Sequence, residues 1–268
     1  GRILVAFEGG SVERARLEAA AGMAAGLEAE LVGLFVEDET LIQAAALPVT
    51  RGLSSMAAGP TPIDAALMRR ALRVSATKAG EALAAAAARR RLRWSFRVVQ
   101  APLLERLVPE IGAGDILALG PVGRAAGRAE RALVAALGGG AVPCSLLLLR
   151  AAARIDRPVL VLYDGSERVL EAGVRLARNL GRGLAVVAVG ASEEFAERRR
   201  RDAAGWLERH GLGVAVRPLV ATGLEELRQG LGPRHPEILI LDRGGALGEH
   251  LNMESLLEAF GCTLFILR

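Results

Sequence analysis

Short, wholly apolar runs alternate along this chain with longer stretches in which apolar positions return every three or four residues, a pattern of parallel strands joined by helical crossovers. In the first half, Ile3 to Phe7 reads as a strand, Val12 to Leu27 as a helix and Leu31 to Val36 as the second strand. An Ala-rich helix follows from about Ile63 to Arg90, its alanines favouring that state. Trp94 to Val99 is the third strand, Pro102 to Ile111 a helix, Ile116 to Leu119 the fourth strand, Arg128 to Leu137 a helix and Ser145 to Leu149 the fifth strand.

The order then repeats with less material. Strands are expected at Val159 to Tyr163, Leu184 to Val189, Val214 to Leu219, Ile238 to Leu241 and Thr263 to Leu267. Helices are expected at Arg168 to Leu180, Glu193 to His210, Gly223 to Gly230 and Met253 to Phe260. The wording repeats as well as the pattern. Ile3-Leu4-Val5-Ala6-Phe7-Glu8-Gly9 returns as Val159-Leu160-Val161-Leu162-Tyr163-Asp164-Gly165, and Cys144-Ser145-Leu146-Leu147 as Cys262-Thr263-Leu264-Phe265. A repeat of this length means two copies of one domain, expected at residues 1–151 and 155–268 with a short linker between. The first copy carries an insertion at about residues 37–62, rich in proline and glycine, in which Leu41 to Leu47 is long enough for a short helix. An insertion of this kind suits a lid or a docking surface for another protein or a second copy.

Composition narrows the classes. At 268 residues and 51% hydrophobic content the chain can bury two full cores. No run approaches the roughly 20 apolar residues that span a bilayer, and no signal-like segment precedes the first strand, so a cytoplasmic location is expected. The net charge is +4, yet Arg89 to Arg91 and Arg198 to Arg201 fall on helices that read as solvated faces. With 3% aromatic residues there is no stacking platform beside them, and nucleic acid is not an expected partner. Cys144 and Cys262 each open an apolar run and suit buried packing. His210, His235 and His250 lack metal spacing and a paired nucleophile, so neither a metal site nor a catalytic set is expected.

The chemistry lies in the loops. An acid and glycine after the first strand, with a glycine loop after the fourth, describe a nucleotide-binding α/β sheet, whose ligands sit at strand carboxyl ends where strand order reverses. Asp164-Gly165-Ser166, Gly120-x-x-Gly123 and the Pro-Cys or Gly-Cys step before each last strand resemble a tandem universal stress protein. The resemblance covers both halves apart from Glu37 to Pro62. It implies two flavodoxin-like or Rossmann-like three-layer sandwiches with five-stranded parallel sheets, packed as an internal pseudo-dimer through their last strands. It also places Glu8 and Asp164 where an acid contacts the nucleoside end of ATP. The candidate cleft then comprises Phe7, Glu8, Gly9, Gly120, Gly123, Asp164 and Gly165. Glu8 and Asp164 serve equally well as acids stabilising the following helix.

The family's phosphate motif continues with nine residues and then glycine followed by serine or threonine, small groups that free the amides of a helix start. Leu133-Val134 stands there in the first copy and Ser255-Leu256 in the second, while Asp242 replaces the first motif glycine of the second copy. A carboxylate beside a triphosphate opposes binding. The expected function is therefore a non-enzymatic, stress-associated regulatory or interaction protein without ordinary ATP binding and without a cofactor. Self-association or a protein partner is expected. The alternative is an adenine-nucleotide binder, for ATP, AMP or another small molecule, using Glu8, Gly120 and Gly123 of the first half, with slow hydrolysis.

Overall fold

The computed structural model describes residues 1–7, 14–37, 51–52, 61–62, 65–100, 111–112, 114–120, 144–149, 157–232, 236–245 and 253–268. Its centre is one sheet of ten strands. The first half supplies β1 (Arg2–Phe7), β2 (Glu30–Glu37), β5 (Trp94–Gln100), β6 (Ile116–Leu119) and β7 (Ser145–Leu148). The second supplies β8 (Val159–Tyr163), β9 (Leu184–Gly190), β10 (Val216–Val220), β11 (Ile238–Asp242) and β12 (Thr263–Leu267). Within the insertion, Arg51–Gly52 (β3) pairs antiparallel with Thr61–Pro62 (β4), a ladder too short for the sequence pattern to signal.

The strands run in the order β10-β9-β8-β11-β12-β7-β6-β1-β2-β5. Counted within either half this is 3-2-1-4-5, all parallel, which is the Rossmann type of the doubly wound orders. The halves join where β12 meets β7 antiparallel, with Leu264, Phe265 and Ile266 opposite Leu148, Leu147 and Leu146. Phe265 and Leu147 hold equivalent places in the repeat, so a local two-fold axis passes through this pair. Joining the last strands removes two apolar edges that would otherwise template further pairing.

The inner strands of this sheet are apolar on both faces because both faces are covered. On one face Ile3, Val5, Phe7, Val161 and Phe265 belong to a core capped by α1 (Arg14–Leu27), α2 (Ala65–Arg89), α3 (Glu167–Asn179) and α4 (Glu193–Arg209). On the other, Leu4, Leu117, Leu146, Leu239 and Ile266 pack with residues of α5 (Leu224–Leu231) and α6 (Met253–Phe260). Both cysteines are buried and neither is in a disulfide, in keeping with the packing role read from sequence. The helices expected at Pro102 to Ile111, Arg128 to Leu137 and Leu41 to Leu47, and the linker between the copies, lie outside the described residues apart from Ile111.

A second contact ties the halves together. Gly26 of α1 faces Leu176 of α3, and a Cβ on Gly26 would sit 2.8 Å from Leu176 Cδ2. The missing side chain lets the helices close over the strand joint, where Asn179 Nδ2 donates to the Gly26 carbonyl at 3.0 Å. At the amino ends of the strands, Arg2 holds Asp115 through both guanidinium contacts, 2.9 and 2.5 Å, while the Gly112 amide donates to the same carboxylate at 2.8 Å. The equivalent acid of the second half, Glu237, meets Arg182 instead, at 3.5 Å.

Candidate functional site

Strand order reverses between β1 and β6 in the first half and between β8 and β11 in the second, so a ligand cleft would open above the carboxyl ends of those pairs. In the second half this place is fully described. Tyr163 ends β8, and Asp164 follows it, buried. Gly165 then turns with φ +120, a conformation open to glycine and strained for other residues. Ser166 occupies the N-cap of α3, without a side-chain cap hydrogen bond, and Glu167 supplies the acid of the first turn. Asp164 is therefore not the N-cap residue itself.

Its carboxylate instead meets the loop that leaves β11. Asp242, also buried, accepts a hydrogen bond from the Gly244 amide on Oδ1 at 2.8 Å, and Arg243 N donates to the Leu267 carbonyl at 2.8 Å. The first bond turns the chain sharply after β11, and the second extends the pairing of β11 with β12 by one residue. Gly245 arrives against Asp164, and a Cβ at Gly245 would overlap Asp164 Oδ2. The acid after β8 and the glycine after β11 are thus brought into contact. Two buried carboxylates, Asp164 and Asp242, stand at the ends of neighbouring strands, an arrangement that repels a phosphate.

Burial raises the Tyr163 phenol above its ordinary pKa, and the carboxylates of Asp202 and Glu167 push it further, against the opposing charge of Arg199. Arg199 is itself engaged, donating to the Val189 carbonyl at 2.5 Å.

In the first half, Phe7 ends β1 with its ring in the core, 6.0 Å from the ring of Phe96 and inclined by 52°. Its main chain, not its side chain, would border a cleft. Gly120 follows β6 and is buried. It stands where Asp242 stands in the second half, so the strand end here carries no carboxylate. Glu8, Gly9 and Gly123 lie outside the described residues.

The remaining candidate chemistry is structural where it is described. His210 ends α4 with Nδ1 2.7 Å from the Trp206 carbonyl and its ring stacked on Trp206 at 3.9 Å, a capping role. Arg200 pairs with Glu197 at 2.7 Å, and no group of three or more metal-ligating side chains occurs among the described residues. Nor is any helix among them long and apolar enough to cross a membrane.

One feature was not read from the sequence. An open groove of about 580 Å³ lies between α2 and the edge strand β5, away from the switch points, with Trp94, Phe96 and Val98 along its strand side. The signal was present in the sequence as three alternate apolar residues in the third strand. Nothing in that pattern alone said that the strand would end a sheet.

No protein-family model matches the chain, and comparison with curated proteins finds no match. Solved structures do resemble it. A functionally unknown protein, PA1789 of Pseudomonas aeruginosa PAO1, is similar with a TM-score of 0.60 at 14% identity, covering 99% of this chain and 92% of its own. A protein of Pseudomonas aeruginosa UCBPP-PA14, provisionally described as a universal stress protein, gives 0.58 at 15% identity over 99% and 92%. The cytoplasmic domain of a prokaryotic cation chloride cotransporter gives 0.52 at 14% over 99% and 94%. At such identities the likeness establishes a shared α/β fold across nearly the whole chain.

Proposed function

We propose that this chain is a non-enzymatic regulatory or interaction protein of the universal stress type, built from two units divided near residues 151–155, and that it does not bind ATP in the ordinary way. The observation that carries this is the closed second-half switch point. Asp242 takes the place of a phosphate-loop glycine, its own loop is pinned by Gly244 and Leu267, and Gly245 fills the space over Asp164. A triphosphate there would have to displace Gly245 and approach two buried carboxylates.

Support for the universal stress type comes from the 3-2-1-4-5 strand order in both halves, the joint between last strands and the fold shared with the Pseudomonas proteins. A second proposal is favoured by one observation: Gly120 leaves the first-half strand end without the carboxylate that Asp242 brings to the second. An adenine nucleotide, if one binds, belongs there. Mass spectrometry of small molecules released by denaturing the freshly purified protein separates the two. Absence of any adenine nucleotide is expected, and near-stoichiometric ATP or AMP would overturn the first proposal in favour of the second.

A further inference from the structure

Among the described residues the ten-stranded sheet has two open edges, β10 and β5, and the chain treats them differently. Both are third strands of their halves, so their residues correspond through the pairing register. Phe7 lies beside Phe35 and Phe35 beside Val98, while Tyr163 lies beside Ala188 and Ala188 beside Pro218. Val98 and Pro218 are therefore equivalent positions. Pro218 sits in the β10 ladder with pairing continuing on both sides, so its nitrogen, which has no hydrogen to donate, faces the open edge. That edge is blocked. On β5 the same register carries Val98, whose amide faces outward with a hydrogen to donate, and those of Trp94 and Phe96 share its parity.

The open edge is also apolar. Trp94 is 44% and Val98 49% exposed, a large apolar presentation for an edge strand. Above them, α2 lines the groove with Arg73, Thr77 and Glu81, three residues spaced by one turn on one stripe. The stripe reads positive, neutral, negative, which is complementary to itself when reversed.

We propose that β5 is the docking edge for a second copy of this chain, pairing antiparallel with its own counterpart across a two-fold axis. A two-fold axis normal to the sheet keeps residues of one parity opposite each other. With Phe96 on the axis, Phe96 meets Phe96 of the second copy and Trp94 meets Val98, giving aromatic and aromatic to β-branched cross-strand pairs. The outward amides of these residues fall in the hydrogen-bonded positions of the new ladder. Arg97 then opposes Ser95. A shift of one residue in the axis would set Arg97 against Arg97, which like-charge repulsion disfavours. On the α2 side the reversed stripes bring Arg73 of each copy towards Glu81 of the other. Because Pro218 blocks β10, the contact is isologous and closes at two copies, where two open edges would give a filament. The pairing is independent of whether either cleft holds a nucleotide.

Sedimentation equilibrium of the full chain between 1 and 100 µM tests this. The expected mass is twice the monomer's 28.1 kDa. Val98→Pro, which copies the blocked edge of the other half, is expected to shift the protein to monomer with its circular dichroism unchanged. Arg73→Glu is expected to raise the dimer dissociation constant at least tenfold, and Arg73→Glu with Glu81→Arg to restore it. Should Val98→Pro fail to fold, the charge reversal on the exposed helix face still decides the matter. A wild-type monomer throughout that range, species larger than two copies, or a dimer indifferent to both Val98→Pro and Arg73→Glu would overturn the proposal.

Discussion

Gly245 rests on the carboxylate of Asp164 so closely that a Cβ at this position would overlap Oδ2. The contact joins the ends of two neighbouring strands and, on the proposed reading, closes the second-half switch point. Gly245→Ala is therefore expected to destabilise the protein by about 1–3 kcal/mol, the usual cost of forcing an extra methyl into packed space. Truncating the opposing side chain in the background variant Asp164→Ala should remove most of that penalty. Urea unfolding of the four members of this cycle measures the coupling, and additive effects would show that the two residues do not meet.

The joint between the halves is expected to make them unfold together. Phe265 is buried at the centre of the β12 and β7 pairing, opposite Leu147. Phe265→Ala should cost about 3–5 kcal/mol through lost burial and the cavity left behind. Trp94 and Trp206 are the two tryptophans of the chain, one in each half, so Trp94→Phe and Trp206→Phe let fluorescence follow each half alone. Both halves should shift by the same denaturant increment; movement of the second half only would mean that the joint does not couple them.

Acid sensitivity should reside at the opposite end of the sheet. Burial opposes the charge on Asp115, but hydrogen bonds from Arg2 and the Gly112 amide outweigh it and hold the carboxyl below the ordinary aspartate range. The folded state thus binds this proton less readily than the unfolded state. Its stabilisation is complete above the unfolded value and is lost as pH falls through the lower, folded value. Asp115→Asn should lower stability at pH 7 by about 1–3 kcal/mol and flatten the decline of the urea midpoint below pH 4. An unchanged decline would assign the acid response to other carboxylates.

How much of this was legible beforehand follows from what a local pattern can encode. The inner strands announced themselves because they are buried on both faces and read as continuous apolar runs, as Val159 to Tyr163 does. The third strand of the second half begins at Val216, not Val214, since its ladder with β9 starts opposite Val186. The acid and glycine at residues 164 and 165 were legible as loop chemistry. Their closure by Gly245 was not, because residues so far apart in sequence meet only once β8 and β11 lie side by side. The groove over β5 was hidden for a related reason: Trp94, Phe96 and Val98 look like any half-buried strand until the sheet order leaves them at its edge.

Calorimetric titration of the purified chain with Mg-ATP, alongside thermal denaturation at 1 mM nucleotide, addresses the closed switch point most directly. A site with a dissociation constant of 10 µM would be stabilised by about 2.7 kcal/mol at that concentration, an unmistakable rise in melting temperature. No binding heat and no rise are expected. Saturable binding at one or two sites per chain with a dissociation constant below 100 µM would contradict the account.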